Sequence, residues 1–204
     1  MKDSQVADGN QFMKIGVLAL QGDFEEHCVC LKNLGIKALE IRLPSQLEDL
    51  DGLIIPGGES TTIGKLATDY NLLDPIRALA TSAAIWGTCG GLVFLATDVG
   101  RNQPTLRLVN MVVERNAFGR QIESFEEDLT ITGIPGGPFR GIFIRAPRVK
   151  RVGIGVDILC ELKDGSIVAV RQGRLIATSF HPELTKDTRV HEYFLNIAAQ
   201  KVNS

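Results

Sequence analysis

From residue 14 onward, apolar and polar positions alternate between two rhythms. Residues 14–20 form an apolar run that predicts a buried strand. Phe24, Cys28, Leu31 and Leu34 then recur at helical spacing and mark one helix face, which Gly35 stops. Residues 37–43 and 53–55 predict two further strands, the second running into Pro56-Gly57-Gly58, and residues 72–81 predict a helix. Ala83-Ala84-Ile85-Trp86 reads as a short buried strand, with Leu92-Val93-Phe94-Leu95-Ala96 as the opening of a buried helix. Such βαβ repetition predicts a parallel sheet with helices on both faces. Past residue 96 the pattern is strand-rich, over 108–114, 139–144, 156–162, 166–171 and 175–180, with Gln172-Gly173 as a hairpin turn between the last two. A final helix over 189–201 places Val190, Tyr193, Phe194 and Ile197 on one side. The expected fold is single-domain α/β, with a mostly parallel central sheet.

Composition narrows the picture without deciding it. A chain of 204 residues with 44% hydrophobic content suffices for one well-buried domain, here residues 13–204. Residues 1–12 are polar, carry Asp3 and Asp8 without an arginine, and fit neither a secretory signal nor a transit peptide. They read as a disordered lead-in, with Met13 as an alternative start. Ile134-Pro135-Gly136-Gly137-Pro138 is a turn, too short for a linker. A net charge of −2 gives no electrostatic argument for nucleic acid or an anionic membrane. No apolar stretch approaches the roughly 18–20 residues of a membrane span. Cys28, Cys30, Cys89 and Cys160 show no disulfide-framework spacing, which suits a reducing cytoplasm. His27-Cys28-Val29-Cys30 is rejected as a metal site, because on a helix its side chains fan around the axis and no second ligand cluster accompanies it. Neither a metal nor another cofactor is expected.

The chemistry concentrates in two places. Gly87-Thr88-Cys89-Gly90-Gly91 puts a cysteine on a sharp strand-to-helix turn, where small neighbours permit the strained backbone of a nucleophile elbow. The following helix N-terminus favours thiolate. An ordinary buried cysteine in a glycine-rich turn is the competing reading. The second place is His181-Pro182-Glu183, after the predicted strand 175–180. A thiol nucleophile needs a base, and the base needs a group that fixes its tautomer. His181 and Glu183, two apart, would face the same side of a continuing strand. His27 and His191, both on predicted helices, read as structural. Gly57-Gly58-Glu59-Ser60 leads into a helix without the Gly-Lys-Ser/Thr ending of a phosphate loop, so an oxyanion loop fits it better. Gly57-Gly58, Cys89 and His181 each follow a strand, so all can converge on the carboxyl edge of the sheet. Taken alone, Arg115 and Arg145 read as solvated surface arginines.

The order of cysteine elbow, then His-x-Glu, resembles class I glutamine amidotransferases, whose domain is flavodoxin-like. Five stretches are similar to one branch, the glutaminase subunits of pyridoxal 5'-phosphate synthases. These are residues 16–22 (Gly-Val-Leu-Ala-Leu-Gln-Gly), 56–62 (Pro-Gly-Gly-Glu-Ser-Thr-Thr), 115–121 (Arg-Asn-Ala-Phe-Gly-Arg-Gln), 143–147 (Phe-Ile-Arg-Ala-Pro) and 179–184 (Ser-Phe-His-Pro-Glu-Leu). The likeness covers nearly the whole chain from Met13. It implies hydrolysis of L-glutamine by Cys89, His181 and Glu183, with the amides of Gly58 and Gly90 as oxyanion donors. It also implies a glutamine pocket lined by Gly58, Glu59, Ser60, Arg115, Ile144 and Arg145. Family members usually carry alanine where this chain has Gly90; the donor is main chain and survives the change. The implied partner is a (β/α)8-barrel synthase in a large hetero-oligomer, because a barrel takes about 250 residues of its own. A stand-alone cysteine hydrolase or peptidase, and a non-catalytic regulatory partner of the synthase, remain open alternatives.

Overall fold

The computed structural model describes residues 13–115 and 124–200; the lead-in 1–12, residues 116–121 of the third family-like stretch and Lys201 lie outside them. Five parallel strands form the centre of the fold. They are β1 (Ile15–Leu18), β2 (Leu39–Ile41), β3 (Gly52–Ile55), β4 (Ala84–Thr88) and, late in the chain, β12 (Leu175–Thr178). Their spatial order is β2-β1-β3-β4-β12, with every neighbouring pair parallel. β1, β3 and β4 are buried along their whole length, as expected of parallel strands covered on both faces.

Alternation along the strands distributes the core between the two faces. Ile54 and Trp86 pack on one side with Leu31 of α1 (Phe24–Asn33) and with Val190 and Phe194 of α5 (Arg189–Ala198). Leu53, Ile55 and Ile85 pack on the other. There they meet Ile63 of α2 (Ser60–Asp69), Ile76 of α3 (Leu73–Leu79) and the buried α4 (Gly90–Leu95). Burying one large apolar side chain contributes about 1.5–3 kcal/mol, so these two layers dominate the stability of the sheet. Helices on both faces of a mostly parallel sheet match the fold expected from the βαβ rhythm.

Beyond β12 the sheet continues antiparallel as far as β6, which pairs in parallel with the edge strand β5, and here the sequence pattern predicts only part of what forms. β5 (Ala96–Asp98), β6 (Val109–Glu114), β9 (Arg148–Val152), β10 (Asp157–Glu161) and β11 (Ile167–Gln172) extend it, while β7 (Ser124–Leu129) and β8 (Phe139–Ile144) form a separate ribbon. β5, β7 and β9 have no counterpart among the predicted strands. Ser-Phe-Glu-Glu-Asp-Leu and Arg-Val-Lys-Arg-Val are highly charged, and β7 alternates exposed and half-buried positions until Leu129. The β11–β12 hairpin pairs Gln172 with Leu175, so its turn is Gly173-Arg174, one residue later than predicted. The ribbon is anchored by Phe143, stacked on Phe125 at 4.5 Å and edge-on to Phe180 at 5.8 Å. Phe180 follows β12, so this contact brings the end of β8 to the carboxyl edge of the parallel strands. No helix of the described residues is long and apolar enough to cross a membrane.

Candidate active site

β4 ends at Thr88, and Cys89 turns the chain into α4 with φ 45° and ψ −102°. This is left-handed backbone on a residue with a Cβ, strained by about 1–3 kcal/mol and sustained only by its surroundings. The Cys89 N–H donates to the Thr178 carbonyl of β12 at 2.8 Å, and Val93 N–H donates back to the Cys89 carbonyl at 3.3 Å. Cys89 is 8% exposed, with Sγ 3.8 Å from the Ile144 carbonyl. The elbow inferred from the flanking glycines is thus present, with its cysteine at the mouth of a cavity rather than sealed in the core.

His181 arrives from β12, its N–H donating to Ile142 of β8 at 2.8 Å. Here the structure corrects one expectation. The strand stops at Thr178, and Pro182–Leu184 forms a 3-10 turn, so His181 and Glu183 do not share a strand face. The turn brings them together instead: Nδ1 of His181 lies 2.7 Å from Glu183 Oε1. Asp23 Oδ2, at 3.3 Å, approaches the same nitrogen. Two carboxylates on Nδ1 place a proton there, which leaves Nε2 available in the cavity that His181 and Cys89 both line. Burial opposes charge on the imidazole, yet the neighbouring Asp23, Cys89 and Glu183 push its pKa up to about 12. The geometry therefore favours an imidazolium beside Cys89. Burial raises the Glu183 pKa, against the pull of His181. For Asp23 the hydrogen bond to His181 outweighs burial and lowers it. The ligand-type atoms of Asp23, His181 and Glu183 lie within 4.8 Å of one another, a clustering that the bonds to one imidazole account for.

A cavity of about 330 Å³ opens over these groups, lined among others by Gly58, Glu59, Ser60, Cys89, Gly90, Arg115, Ile144, Arg145 and His181. Its volume sits at the small end of the roughly 300–1,000 Å³ of small-molecule sites. All the residues expected at the site line this one cavity, except Glu183, which stands behind His181. Glu59 caps α2, accepting from Thr61 N–H at 3.3 Å, and pairs with Arg115 at 2.5 Å. Burial acts to raise the Glu59 pKa, but the Thr61 amide and Arg115 prevail and lower it. Arg115 also donates to Thr61 Oγ1 at 3.1 Å and Gln103 Oε1 at 3.0 Å. It is a braced side chain and not the solvated arginine its isolated context suggests. Arg145 is exposed, at φ 43°, with no hydrogen bond or ion pair among the described residues.

Gly58 stands at φ 143°, backbone that favours glycine, and Gln21 Oε1 accepts from the next amide, Glu59 N–H, at 2.9 Å. A Cβ built on Gly90 would run into the Gly58 carbonyl oxygen. In this arrangement the glycine after the nucleophile has a steric reason to be there, and alanine would require the Gly58 peptide to turn. Of the four lining residues absent from the site that the sequence predicts, Val93 and Pro147 are apolar, while Asp23 and Gln21 are polar. Asp23 lies at the N-terminus of α1, where an acidic residue is unremarkable as a cap. Gln21 stands inside a family-like stretch without an assigned contact. The signal for both is their place just after β1, at the same carboxyl edge as Cys89 and His181.

The model of the SNO glutamine amidotransferase family matches residues 17–200. A protein of Chloroflexus aurantiacus named pyridoxal 5'-phosphate synthase subunit PdxT is 55% identical over 190 residues, covering 91% of this chain and 100% of its own. A protein of the same name from Thermus thermophilus is 54% identical over 188 residues, covering 90% and 97%. A crystal structure described as a glutamine amidotransferase superposes with a TM-score of 0.87 at 53% identity, covering 91% of this chain and 99% of that one. PurLQS from Thermotoga maritima, at 16% identity and a TM-score of 0.67 over 90% of this chain, shares the fold.

Proposed function

The chain belongs to the SNO glutamine amidotransferase family, and from that membership we propose that it hydrolyses L-glutamine to L-glutamate and ammonia with Cys89, His181 and Glu183 as its triad. The observation that carries this reading is that Cys89 on its elbow and His181, its Nδ1 held by the Glu183 carboxylate at 2.7 Å, line one cavity. Cys89 Sγ adds to the side-chain amide carbon and the carbonyl electrons move to oxygen. The C–N bond then breaks as His181 protonates the departing nitrogen, giving ammonia and a thioester. Water, deprotonated by His181, cleaves the thioester to glutamate and restores the thiol. Glu183 keeps the imidazole in register and stabilises its charge.

The amides of Gly58 and Gly90 are the proposed oxyanion donors, and Glu59, Ser60, Arg115, Ile144 and Arg145 the remaining substrate contacts. Arg145, with its charge unpaired among the described residues, suits the α-carboxylate of glutamine. Glu59, kept ionised by Arg115, suits the α-ammonium. We take residues 13–204 as the glutaminase domain of a cytoplasmic protein. The names of its relatives support a role as the ammonia-supplying subunit of pyridoxal 5'-phosphate synthase, working with a (β/α)8-barrel synthase in a large hetero-oligomer.

A glutaminase that fires alone loses its ammonia to solvent. The Gly58 carbonyl oxygen lies against Gly90, and the Gly57-Gly58 peptide, which carries the proposed Gly58 donor, reorients at little steric cost. Docking of the synthase beside Gln21-Gly22 and Gly57-Gly58 is proposed to turn that peptide and complete the hole. One missing donor is worth about 10²–10³ in rate, so the isolated chain is expected to be weakly active and to gain about that factor with saturating synthase. Ammonia release from glutamine, measured with and without the barrel subunit, tests this. Equal rates would eliminate the switch, and no release in either assay would favour a hydrolase of another substrate or a regulatory subunit.

A further inference from the structure

Behind Glu183 lies a set of buried polar side chains that the triad chemistry leaves unused. His27 of α1, His191 of α5 and Thr88 of β4 are each fully buried. His27 Nδ1 is 3.0 Å from His191 Nε2, and His27 Nε2 is 3.2 Å from Thr88 Oγ1. The same Nε2 stands 3.4 Å from Glu183 Oε2, the oxygen not engaged by His181. At rest that oxygen has no hydrogen-bond partner among the described residues, and neither has His191 Nδ1. Trp86 holds both rings edge-on, at 5.5 Å from His27 and 5.0 Å from His191.

Counting protons distinguishes two tautomers of His27. With the proton on Nδ1, His27 donates to His191 Nε2, which leaves a buried, unpartnered N–H on His191. Glu183 Oε2 then faces an imidazole lone pair. With the proton on Nε2, His191 donates to His27 Nδ1 and the unpartnered atom of His191 is only a lone pair. The Nε2–H then bonds Thr88 Oγ1 at 3.2 Å and is the N–H nearest Glu183 Oε2, 3.4 Å away. The second arrangement has one defect where the first has two. Burial, followed by the charges of His191 and His181, depresses the His27 pKa well below the usual imidazole range, and burial lowers that of His191 to about 4. Both rings act as neutral hydrogen-bonding groups.

We propose that His27 is a positioning residue for glutamine hydrolysis: as its Nε2–H tautomer, held by His191, it donates to Glu183 Oε2 and keeps that carboxylate ionised and aimed at His181 Nδ1. The inference rests on the glutaminase reading of Cys89, His181 and Glu183. Glu183 otherwise meets His181 on its own turn, and Asp23 and the Cys30 thiol from the α1 side. Asp23 carries negative charge and Cys30 points its thiol at the Glu183 main-chain carbonyl at 3.7 Å. His27 is therefore the group placed to offer Oε2 a proton.

His27→Leu removes the donor and keeps the site apolar, whereas His27→Gln sets an amide N–H near the position of Nε2. Loss of a donor to an anion raises its pKa. With rates normalised to titrated Cys89, His27→Leu is expected to move the acid limb of the kcat/KM profile upward by about one unit, a tenfold change in proton affinity. kcat should fall with little change in KM, and His27→Gln should recover most of both effects. A His27→Leu profile superimposable on wild type, or a His27→Gln enzyme no better than His27→Leu, overturns the proposal. Should the leucine variant fail to fold, the nitrogen-15 spectrum of the wild-type chain decides. Neutral His27 protonated on Nε2 at pH 7 supports the assignment; protonation on Nδ1 refutes it. A wild-type chain that releases no ammonia even with saturating synthase instead removes the glutaminase premise.

Discussion

Cys89→Ser is expected to leave the fold intact and to lower glutamine hydrolysis by about 10⁴-fold or more, since members of a triad fail as a unit. The hydroxyl is smaller than the thiol by little, and the elbow is held by main-chain bonds from Cys89 to Thr178 and Val93 that serine also makes. What changes is the nucleophile. Sulfur is the stronger nucleophile, whereas a serine hydroxyl attacks only as its proton is removed in the transition state. Circular dichroism matching wild type, together with lost ammonia release, is the predicted pair of results. Hydrolysis near the wild-type rate would remove Cys89 from the mechanism.

His181→Ala is expected to be almost as damaging, because it removes the imidazole that shares the cavity with Cys89. Glu183→Gln should cost less, and the structure supplies the reason. Nδ1 of His181 has a second carboxylate, Asp23, at 3.3 Å, so one anion still faces the imidazolium when Glu183 is neutralised. Single-turnover assays of both variants resolve this ordering. A silent Glu183→Gln would demote Glu183 to a structural neighbour, and an active His181→Ala would end the triad assignment.

Much of this site is legible along the chain, for identifiable reasons. A nucleophile elbow must be built from small residues around one reactive side chain, so Gly87 to Gly91 announces itself locally. The parallel core reads well because its strands are buried on both faces and hence apolar throughout, as in β1 and β3. Contacts between distant segments are legible only in three dimensions. Arg115 looks like a surface arginine until Glu59, Thr61 and Gln103 are seen to hold it. Asp23 and His181 are far apart in sequence, and only the common edge of β1 and β12 joins them. β7 and β9 escape a reading by periodicity because their charged residues carry little apolar alternation. The coupling of His27 to Glu183 is likewise silent in sequence, since a histidine on an otherwise mixed helix reads first as structural.

The most direct test of the central claim is covalent. The wild-type chain, saturated with the barrel synthase, is treated with a thiol-reactive diazo-ketone analogue of glutamine, and the adduct is mapped by mass spectrometry while residual ammonia release is followed. A glutamine-protected adduct on Cys89, with activity lost in proportion to labelling, is the result expected. Full labelling of Cys89 with hydrolysis undiminished, or an adduct confined to Cys28, Cys30 or Cys160, would contradict it.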